Sequence, residues 1–187
     1  NSAELLFFTN QCRVYKTRAS DFPDTKASVL GEYLPAKLGM DEGEAPVYMA
    51  VTKEYQGFML FVFENGKIAK VEMSAYATKT NRKKLVGAYS DKAPLAAALY
   101  LPEDGEVLLT SSAGRMLLLH TGAIQSKSSR TTQGVAAMTL KRGQKVVRVQ
   151  PYEEGMLQKP DRYRKALPAL GAMPAPEDTQ GEQMKLE

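Results

Sequence analysis

A two-strand pattern stands at residues 58–70, FMLFVFENGKIAK. Six apolar residues, Phe58–Phe63, precede Asn65 and Gly66, and a second apolar run follows Lys67. Asn-Gly is the strongest short signal for a tight β-hairpin, because both central positions of a type I′ turn need positive φ. The stretch therefore predicts two antiparallel strands joined by a two-residue turn.

The same pattern recurs at residues 5–16, LLFFTNQCRVYK, and at residues 107–118, VLLTSSAGRMLL. Aligned on Cys12, Gly66 and Gly114, the three hairpins lie 54 and 48 residues apart. Cys12 stands where the other two repeats have glycine, so we expect a strained or altered turn there. A repeat of about 50 residues has the size of one four-stranded propeller blade.

The remainder of each repeat predicts further strands. A polar, basic loop follows each hairpin, at residues 24–28, 78–84 and 127–133, and a short strand, a turn and another strand follow each loop. In the third repeat we expect these strands at 134–140 and 145–149. Leu95–Tyr100 has helical propensity, but its place in the repeat predicts a strand. The fold class is therefore all-β, with about three four-stranded blades in a domain over residues 4–152.

Residues 153–187 differ from the repeats and form a partly irregular tail. Pro160–Leu167 predicts a short helix with proline at its first position and Pro168 after its end. Residues 174–182 have the composition of a flexible, acidic segment.

The charge of the chain is unevenly distributed. The net charge is +4, and the tail from Pro151 holds five Lys or Arg against seven Asp or Glu, which leaves +6 for residues 1–150. Residues 107–152 contain no acidic residue but seven Lys or Arg. Such a run can be merely a solvated surface, but a long field of one sign attracts polyanions. Nucleic acid is therefore a leading candidate partner.

Few residues suit catalysis or metal binding. The only cysteine, Cys12, and the only histidine, His120, fall in different repeats, so neither a disulfide nor a zinc-type ligand set is expected. We predict no catalytic centre, no metal and no cofactor in this fragment. No apolar run approaches the length of a membrane helix and no signal pattern begins the chain, so we expect a cytoplasmic location and no membrane partner.

The repeats resemble the C-terminal domain of type IIA DNA topoisomerase A subunits, those of DNA gyrase and topoisomerase IV. That family repeats Phe-Phe-Thr-Asn-x-Gly-Arg-Val-Tyr, and residues 7–15 match it except at Cys12. Its later motif has an arginine, a few small residues, Gln/Arg-Gly-Val, an apolar strand, Gly-Asp and Val-Val. Residues 130–147 follow that order, and the resemblance covers residues 4–150.

The resemblance implies a β-pinwheel, a propeller-like ring or spiral whose blades exchange strands. It also implies non-sequence-specific binding, bending and wrapping of duplex DNA by a basic rim. The parent protein would be an ATP-dependent type II topoisomerase, an isomerase, whose catalytic tyrosine lies outside this domain. Its partners would be duplex DNA, the second A subunit and an ATPase B subunit.

Two departures from the gyrase pattern limit the wrapping that the resemblance implies. The box Gln-Arg-Arg-Gly-Gly-Lys-Gly is absent, and the nearest basic loop runs from Thr80 to Lys84. Full gyrase domains also carry about twice as many blades. These departures favour a topoisomerase IV-like or divergent gyrase-like subunit, and the two enzymes stay open as alternatives.

The predicted DNA contacts are Lys and Arg that recur once per repeat, since duplex binding needs cations spaced along a surface and no base readout. They are the turn residues Arg13, Lys67 and Arg115 and the loop residues Lys79, Arg82, Lys83, Lys84, Lys127 and Arg130. Phe7, Phe8, Phe61 and Phe63 alternate within strands and are core candidates. The main alternative is a protein–protein interaction propeller, which the absence of tryptophan disfavours; a β-rich enzyme is more distant.

Overall fold

The computed structural model describes residues 2–22, 34–80 and 82–183. The strands are, in chain order, β1 Glu4–Thr9, β2 Arg13–Arg18, β3 Pro46–Thr52, β4 Phe58–Phe63, β5 Lys67–Glu72, β6 Lys84–Val86, β7 Leu95–Leu101, β8 Glu106–Ser111, β9 Met116–His120, β10 Val135–Ala136 and β11 Val146–Pro151. The α-helices are α1 Leu34–Leu38 and α2 Pro176–Gln183. The all-β fold is confirmed.

The three predicted hairpins are β1–β2, β4–β5 and β8–β9, all antiparallel. Their turns place Cys12, Gly66 and Gly114 at φ 57°, 85° and 84°, so the altered turn expected at Cys12 is a cysteine in the left-handed region. Gly66 has a second reason to be glycine: a Cβ there would lie 2.0 Å from the carbonyl oxygen of Met138.

The hairpins form the centres of three blades. Blade 1 has the strand order β3-β1-β2-β6, blade 2 has β7-β4-β5-β10, and blade 3 has β11-β8-β9. β6 comes from the second repeat and pairs with β2 of the first, while β10 comes from the third repeat and pairs with β5 of the second. The blades therefore exchange strands, as in a β-pinwheel. The strand predicted over Leu95–Tyr100 is confirmed as β7, whereas that predicted over 134–140 shortens to β10.

In blade 3 the sheet has three strands, and the tail lies along the edge of β9. Met116 of β9 pairs with Ala172 and Leu118 with Arg164 through isolated bridges. Tyr163 is fully buried against the outer face of this blade, beside Leu118 and Tyr152.

The core consists of apolar layers between neighbouring blades. Leu6 and Phe8 of blade 1 pack on Phe61 of blade 2, with the Phe8 and Phe61 ring centroids 5.8 Å apart. The alternate residues of β4, Leu60 and Val62, face blade 3. β4 is therefore buried on both faces, which explains why its sequence is continuously apolar rather than alternating. The core positions predicted for Phe7, Phe8, Phe61 and Phe63 are confirmed.

The tail differs from its prediction in two places. Pro160–Arg162 makes a single 3-10 turn and the helix does not continue to Leu167. Pro176–Gln183 is an α-helix where the composition predicted a flexible segment. Asp178 in the first turn of α2 accepts two hydrogen bonds from the tail. One comes from the Tyr163 hydroxyl and the other from the Gln158 N–H at 2.6 Å, and together they fix α2 in place. Within the described residues, no helix is long and apolar enough to cross a membrane.

Candidate nucleic-acid interface

One edge of each blade receives a segment from later in the chain. The segment is β6 in blade 1, β10 in blade 2 and residues 163–172 in blade 3. We call this side the exchange edge. The basic loops 78–84 and 127–133 lead into β6 and β10, so strand exchange places both loops at this edge.

Five predicted contact residues are exposed at the exchange edge. Lys79, Arg82, Lys83 and Lys84 lie at blade 1 and Lys127 at blade 2. We call these five residues the edge cations. The Lys16 N–H donates to the Lys83 carbonyl at 2.7 Å, and the Lys127 N–H donates to the Lys70 carbonyl at 2.8 Å. Backbone bonds thus fix both loops while the charged side chains stay in solvent, an arrangement suited to phosphate contact.

A polar cleft of about 300 Å³ lies between β2 and the loop of blade 1. Lys16, Arg18, Arg82 and Lys83 line it, against the two carboxylates of Glu4 and Asp21. The ammonium of Lys16 is buried and donates to the Tyr76 carbonyl and the Thr78 hydroxyl, both at 3.0 Å. Burial lowers the pKa of Lys16, and the nearby carboxylate of Glu4 opposes that shift. The cations outnumber the carboxylates in this cleft, so it favours an anion.

Arg13 pairs in register with Val86 of β6 at the exchange edge, but its side chain is engaged in an ion-pair cluster. Its guanidinium contacts Asp41 at 2.6 Å and Glu44 at 3.3 Å. Glu44 is buried and also accepts hydrogen bonds from the hydroxyls of Tyr15 at 2.6 Å and Thr9 at 2.7 Å. Burial disfavours the charged carboxylate, but these donors outweigh it, so the pKa of Glu44 is lowered. The charge of Arg13 is therefore engaged within the protein.

Two other predicted contacts also bind the protein itself. Arg130 donates to the carbonyls of Ala75 at 3.0 Å and Gly87 at 3.3 Å, and Arg115 donates to the Gly171 carbonyl at 3.1 Å. Lys67 is half-buried at the start of β5, where its neighbour in register is Ala136 of β10. Arg13, Lys67 and Arg115 occupy equivalent positions in the three repeats, as predicted. Their side chains nevertheless do not form one continuous row of exposed charges.

The loop predicted at residues 24–28 lies outside the described residues. Asn81 also lies outside them, so the blade 1 loop is described by its flanking residues.

Two buried lysines that join neighbouring blades were missed by the sequence analysis. Lys16 of blade 1 reaches the Tyr76 carbonyl after β5, and Lys70 of blade 2 reaches the Thr121 carbonyl after β9 at 3.2 Å. Lys70 also contacts Asp104 at 2.8 Å and lies 4.6 Å from the Phe58 ring centroid. Lys16 is the fourth residue after Cys12 and Lys70 the fourth after Gly66, so comparison of the repeats position by position could have found them.

The residues considered for catalysis do not come together. Cys12 lies in the first hairpin, with its Sγ 4.0 Å from the Ser90 carbonyl, while the His120 Nδ1 accepts a hydrogen bond from the Gly122 N–H in blade 3. Over residues 2–22, 34–80 and 82–183, no group of three or more His, Cys, Asp or Glu could hold a metal ion.

Comparison with protein families identifies a matching family, the DNA gyrase C-terminal domain, beta-propeller. It matches residues 3–28 and 105–153. The A subunit of DNA gyrase from Borreliella burgdorferi is 24% identical over 157 residues, which cover 82% of this chain and 19% of that protein. The chloroplastic/mitochondrial A subunit of DNA gyrase from Arabidopsis thaliana is 27% identical over 144 residues, 76% of this chain and 15% of that protein. The chain thus spans less than a fifth of these relatives.

Solved structures share the fold. The C-terminal domain of DNA topoisomerase IV aligns with a TM-score of 0.70 at 23% identity, covering 82% of this chain and 48% of that one. The C-terminal domain of ParC from E. coli aligns with a TM-score of 0.67 at 15% identity, covering 91% of this chain and 76% of that one. These alignments confirm the pinwheel architecture.

Proposed function

This chain is related in sequence and fold to the C-terminal domain of type IIA DNA topoisomerase A subunits, and we propose that it binds and bends duplex DNA without sequence preference. The surface for this binding is the exchange edge. Its contacts are the edge cations, with Lys67 beside them at blade 2.

The observation that carries the proposal is the placement of the edge cations. They stand on loops that are fixed by backbone bonds to β2 and β5, yet their side chains are exposed. Cations held on a rigid surface meet phosphates and release condensed counterions, which supplies most of the affinity of non-specific DNA binding. Because Arg13, Arg115 and Arg130 are engaged within the protein, they are not part of the proposed surface.

We infer bending from the recurrence of the exchange edge, at which blades 1 and 2 both carry cations. Phosphate contacts at both blades would hold a duplex along a curved path. Smooth bending of about 20–30 base pairs by 40–90° costs roughly 1–6 kcal/mol, which phosphate contacts must offset. Three blades present a short edge and the gyrase box is absent, so we expect a bend rather than a completed superhelical turn.

The proposal extends to the longer protein that relatives of this kind imply. There, the domain acts as a non-catalytic accessory of one A subunit, which pairs with a second A subunit and with an ATPase B subunit at the nucleoid. DNA topology control would then be the activity of the whole enzyme, to which this domain contributes DNA capture.

A titration of labelled duplex at increasing salt tests the proposal. For the intact chain, log affinity should fall linearly with log salt, with a slope of about 0.9 per phosphate contacted. The double variant Lys79→Ala/Lys83→Ala should weaken binding and reduce the magnitude of the slope by about 1 for each lysine. Exposed substitutions change stability by no more than about 0.5 kcal/mol, so the unfolding temperature should be nearly unchanged.

The matched control is Lys53→Ala/Lys145→Ala. These two lysines are exposed beside β3 and β11, the strands at the opposite edge of blades 1 and 3. The control should bind like the unmodified chain. An affinity that does not change with salt, or an equal loss of affinity in both variants, would contradict binding at the exchange edge. The protein–protein interaction propeller would then be the favoured alternative.

A further inference from the structure

The tail repeats the backbone pairing that closes the first two blades. In blades 1 and 2, the second residue after the turn position, Val14 or Ile68, pairs antiparallel with Leu85 of β6 or Val135 of β10. In blade 3 the second residue after Gly114 is Met116, which pairs antiparallel with Ala172 of the tail. The bonds are reciprocal, at 2.8 Å and 2.9 Å.

A second backbone contact lies two residues further along each hairpin. The fourth residue after the turn position is Lys16, Lys70 or Leu118. The Lys16 N–H donates to the Lys83 carbonyl at 2.7 Å, and the Leu118 N–H donates to the Tyr163 carbonyl at 2.9 Å. In blade 2, the Lys70 carbonyl accepts from the Lys127 N–H at 2.8 Å. Tyr163 therefore stands in blade 3 where Lys83 and Lys127 stand in the other blades.

Two glycines show that the equivalence of blades 2 and 3 extends to backbone conformation. Gly134 precedes Val135 at φ 78°, and Gly171 precedes Ala172 at φ 77°. A Cβ would lie 2.1 Å from the Ile68 carbonyl oxygen at Gly134 and 2.4 Å from the Met116 carbonyl oxygen at Gly171. Ile68 and Met116 are themselves equivalent, so the same close approach is built twice from unrelated surrounding sequence.

The tail segment at this position is basic and exposed. Arg164 is bound by Glu106 at 2.8 Å and by Asp161 at 2.5 Å, so this cluster holds one cation against two carboxylates. Lys159, Arg162 and Lys165 flank the cluster and are exposed. The carboxylates nearest to them are those of Asp161 and Glu177, which line a cleft of about 470 Å³ with Lys159 and Arg162, and that of Asp178, which accepts from the Lys159 N–H at 3.4 Å. Within the described residues, the side chains of Lys159 and Lys165 make no ion pair, so these two cations are the ones that the segment leaves free for a phosphate.

We propose that residues 159–165 are a third phosphate-contact site, which extends the exchange edge from blades 1 and 2 onto blade 3. The acidic composition of the whole tail suggests a segment that repels DNA or competes with it. The structure instead shows that residues 163–172 pair with β9, while the acidic helix α2 is fixed beside them through the hydrogen bonds that Asp178 accepts from Gln158 and Tyr163. The inference rests on the proposed function, because it assigns a further part of the same duplex-binding surface.

The test compares Lys159→Ala/Lys165→Ala with Lys53→Ala/Lys145→Ala in the intact chain. Within the described residues, the Lys159 and Lys165 side chains make no hydrogen bond or ion pair, so the fold should be kept; a thermal melt checks this. The tail variant should weaken binding to a duplex of about 30 base pairs several-fold and lower the slope against log salt by about 1 for each lysine. The control should do neither.

The outcomes separate the two proposals. If the unmodified chain binds duplex with a steep salt response and the tail variant matches the control, the third contact site is overturned and the proposed function stands. If the unmodified chain does not bind duplex, both fail. Should the alanine variant melt early, Lys159→Gln/Lys165→Gln removes the same charges with longer side chains; unchanged binding by that variant would equally overturn the inference.

Discussion

Single residues explain why some of the predicted contact residues are bound within the protein. The nine candidate cations look alike in the sequence, but three arginines are held by partners that are distant along the chain. Glu44, 31 residues from Arg13, is the buried carboxylate that holds Arg13 in place. It follows a loop whose sequence carries no pattern of its own, so the pairing could not be foreseen from the repeats.

Acid should expose the contribution of Glu44 to stability. Its folded-state pKa is lowered below its ordinary value of 4.5, so its stabilising effect is present above that value and is lost as the pH falls through the lower folded-state value. Glu44→Gln should cost roughly 1–3 kcal/mol at neutral pH, because buried donors lose their charged acceptor.

Urea unfolding at a series of pH values measures this effect. The stability difference between the unmodified chain and Glu44→Gln should shrink below about pH 4.5. Glu42→Gln, an exposed neighbour, should track the unmodified chain throughout. A difference that stays constant down to acid would contradict the role given to Glu44.

Elements were predictable where the repeats constrain them. The turn residues and apolar runs predict all three hairpins, and the register of the repeats identifies β7 although Leu95–Leu101 has helical propensity. Strand exchange followed only from the family resemblance, because pairing between repeats leaves no local pattern. The pairing of the tail with β9 was not predicted, because Gly171 and Ala172 do not belong to an alternating apolar pattern. Backbone hydrogen bonds to β9, rather than side-chain packing, hold them in place.

The close approach of β10 to β5 gives a prediction about strand exchange. Gly134→Ala puts a Cβ against the Ile68 carbonyl oxygen and also forces alanine to positive φ. Gly143→Ala also forces alanine to a positive φ, of 79°, but no atom lies within 4 Å of the added Cβ. The φ penalty is roughly 1–2 kcal/mol in both, and the clash should add roughly 1–3 kcal/mol in Gly134→Ala alone.

Denaturant unfolding of the two glycine variants gives the difference directly. Equal free energies of unfolding would show that the backbone near Ile68 shifts to accommodate the added Cβ at no measurable energy. The exchanged strand β10 would then not be tightly packed against β5.

At the scale of the whole molecule, the three blades form one stack with unlike ends. The middle blade is buried on both faces, and the tail covers the outer face of blade 3 with Tyr163. The outer face of blade 1 exposes Val47, Met49 and Val51 on β3, each about half accessible. The exchange edge lies on the second strand of every hairpin, and we therefore predict that a duplex that contacts one blade continues along the next.

Energy transfer between dyes at the two ends of a duplex of about 30 base pairs tests that continuity most directly. At saturating protein and low salt, the account predicts that transfer rises, because contacts on successive blades draw the duplex ends together, and that added salt reverses the rise. Lys79→Ala/Lys83→Ala should give a smaller rise at equal saturation, while Lys53→Ala/Lys145→Ala should match the unmodified chain. Saturated binding with no change in transfer would contradict the account, because the duplex would then be held straight at a single site.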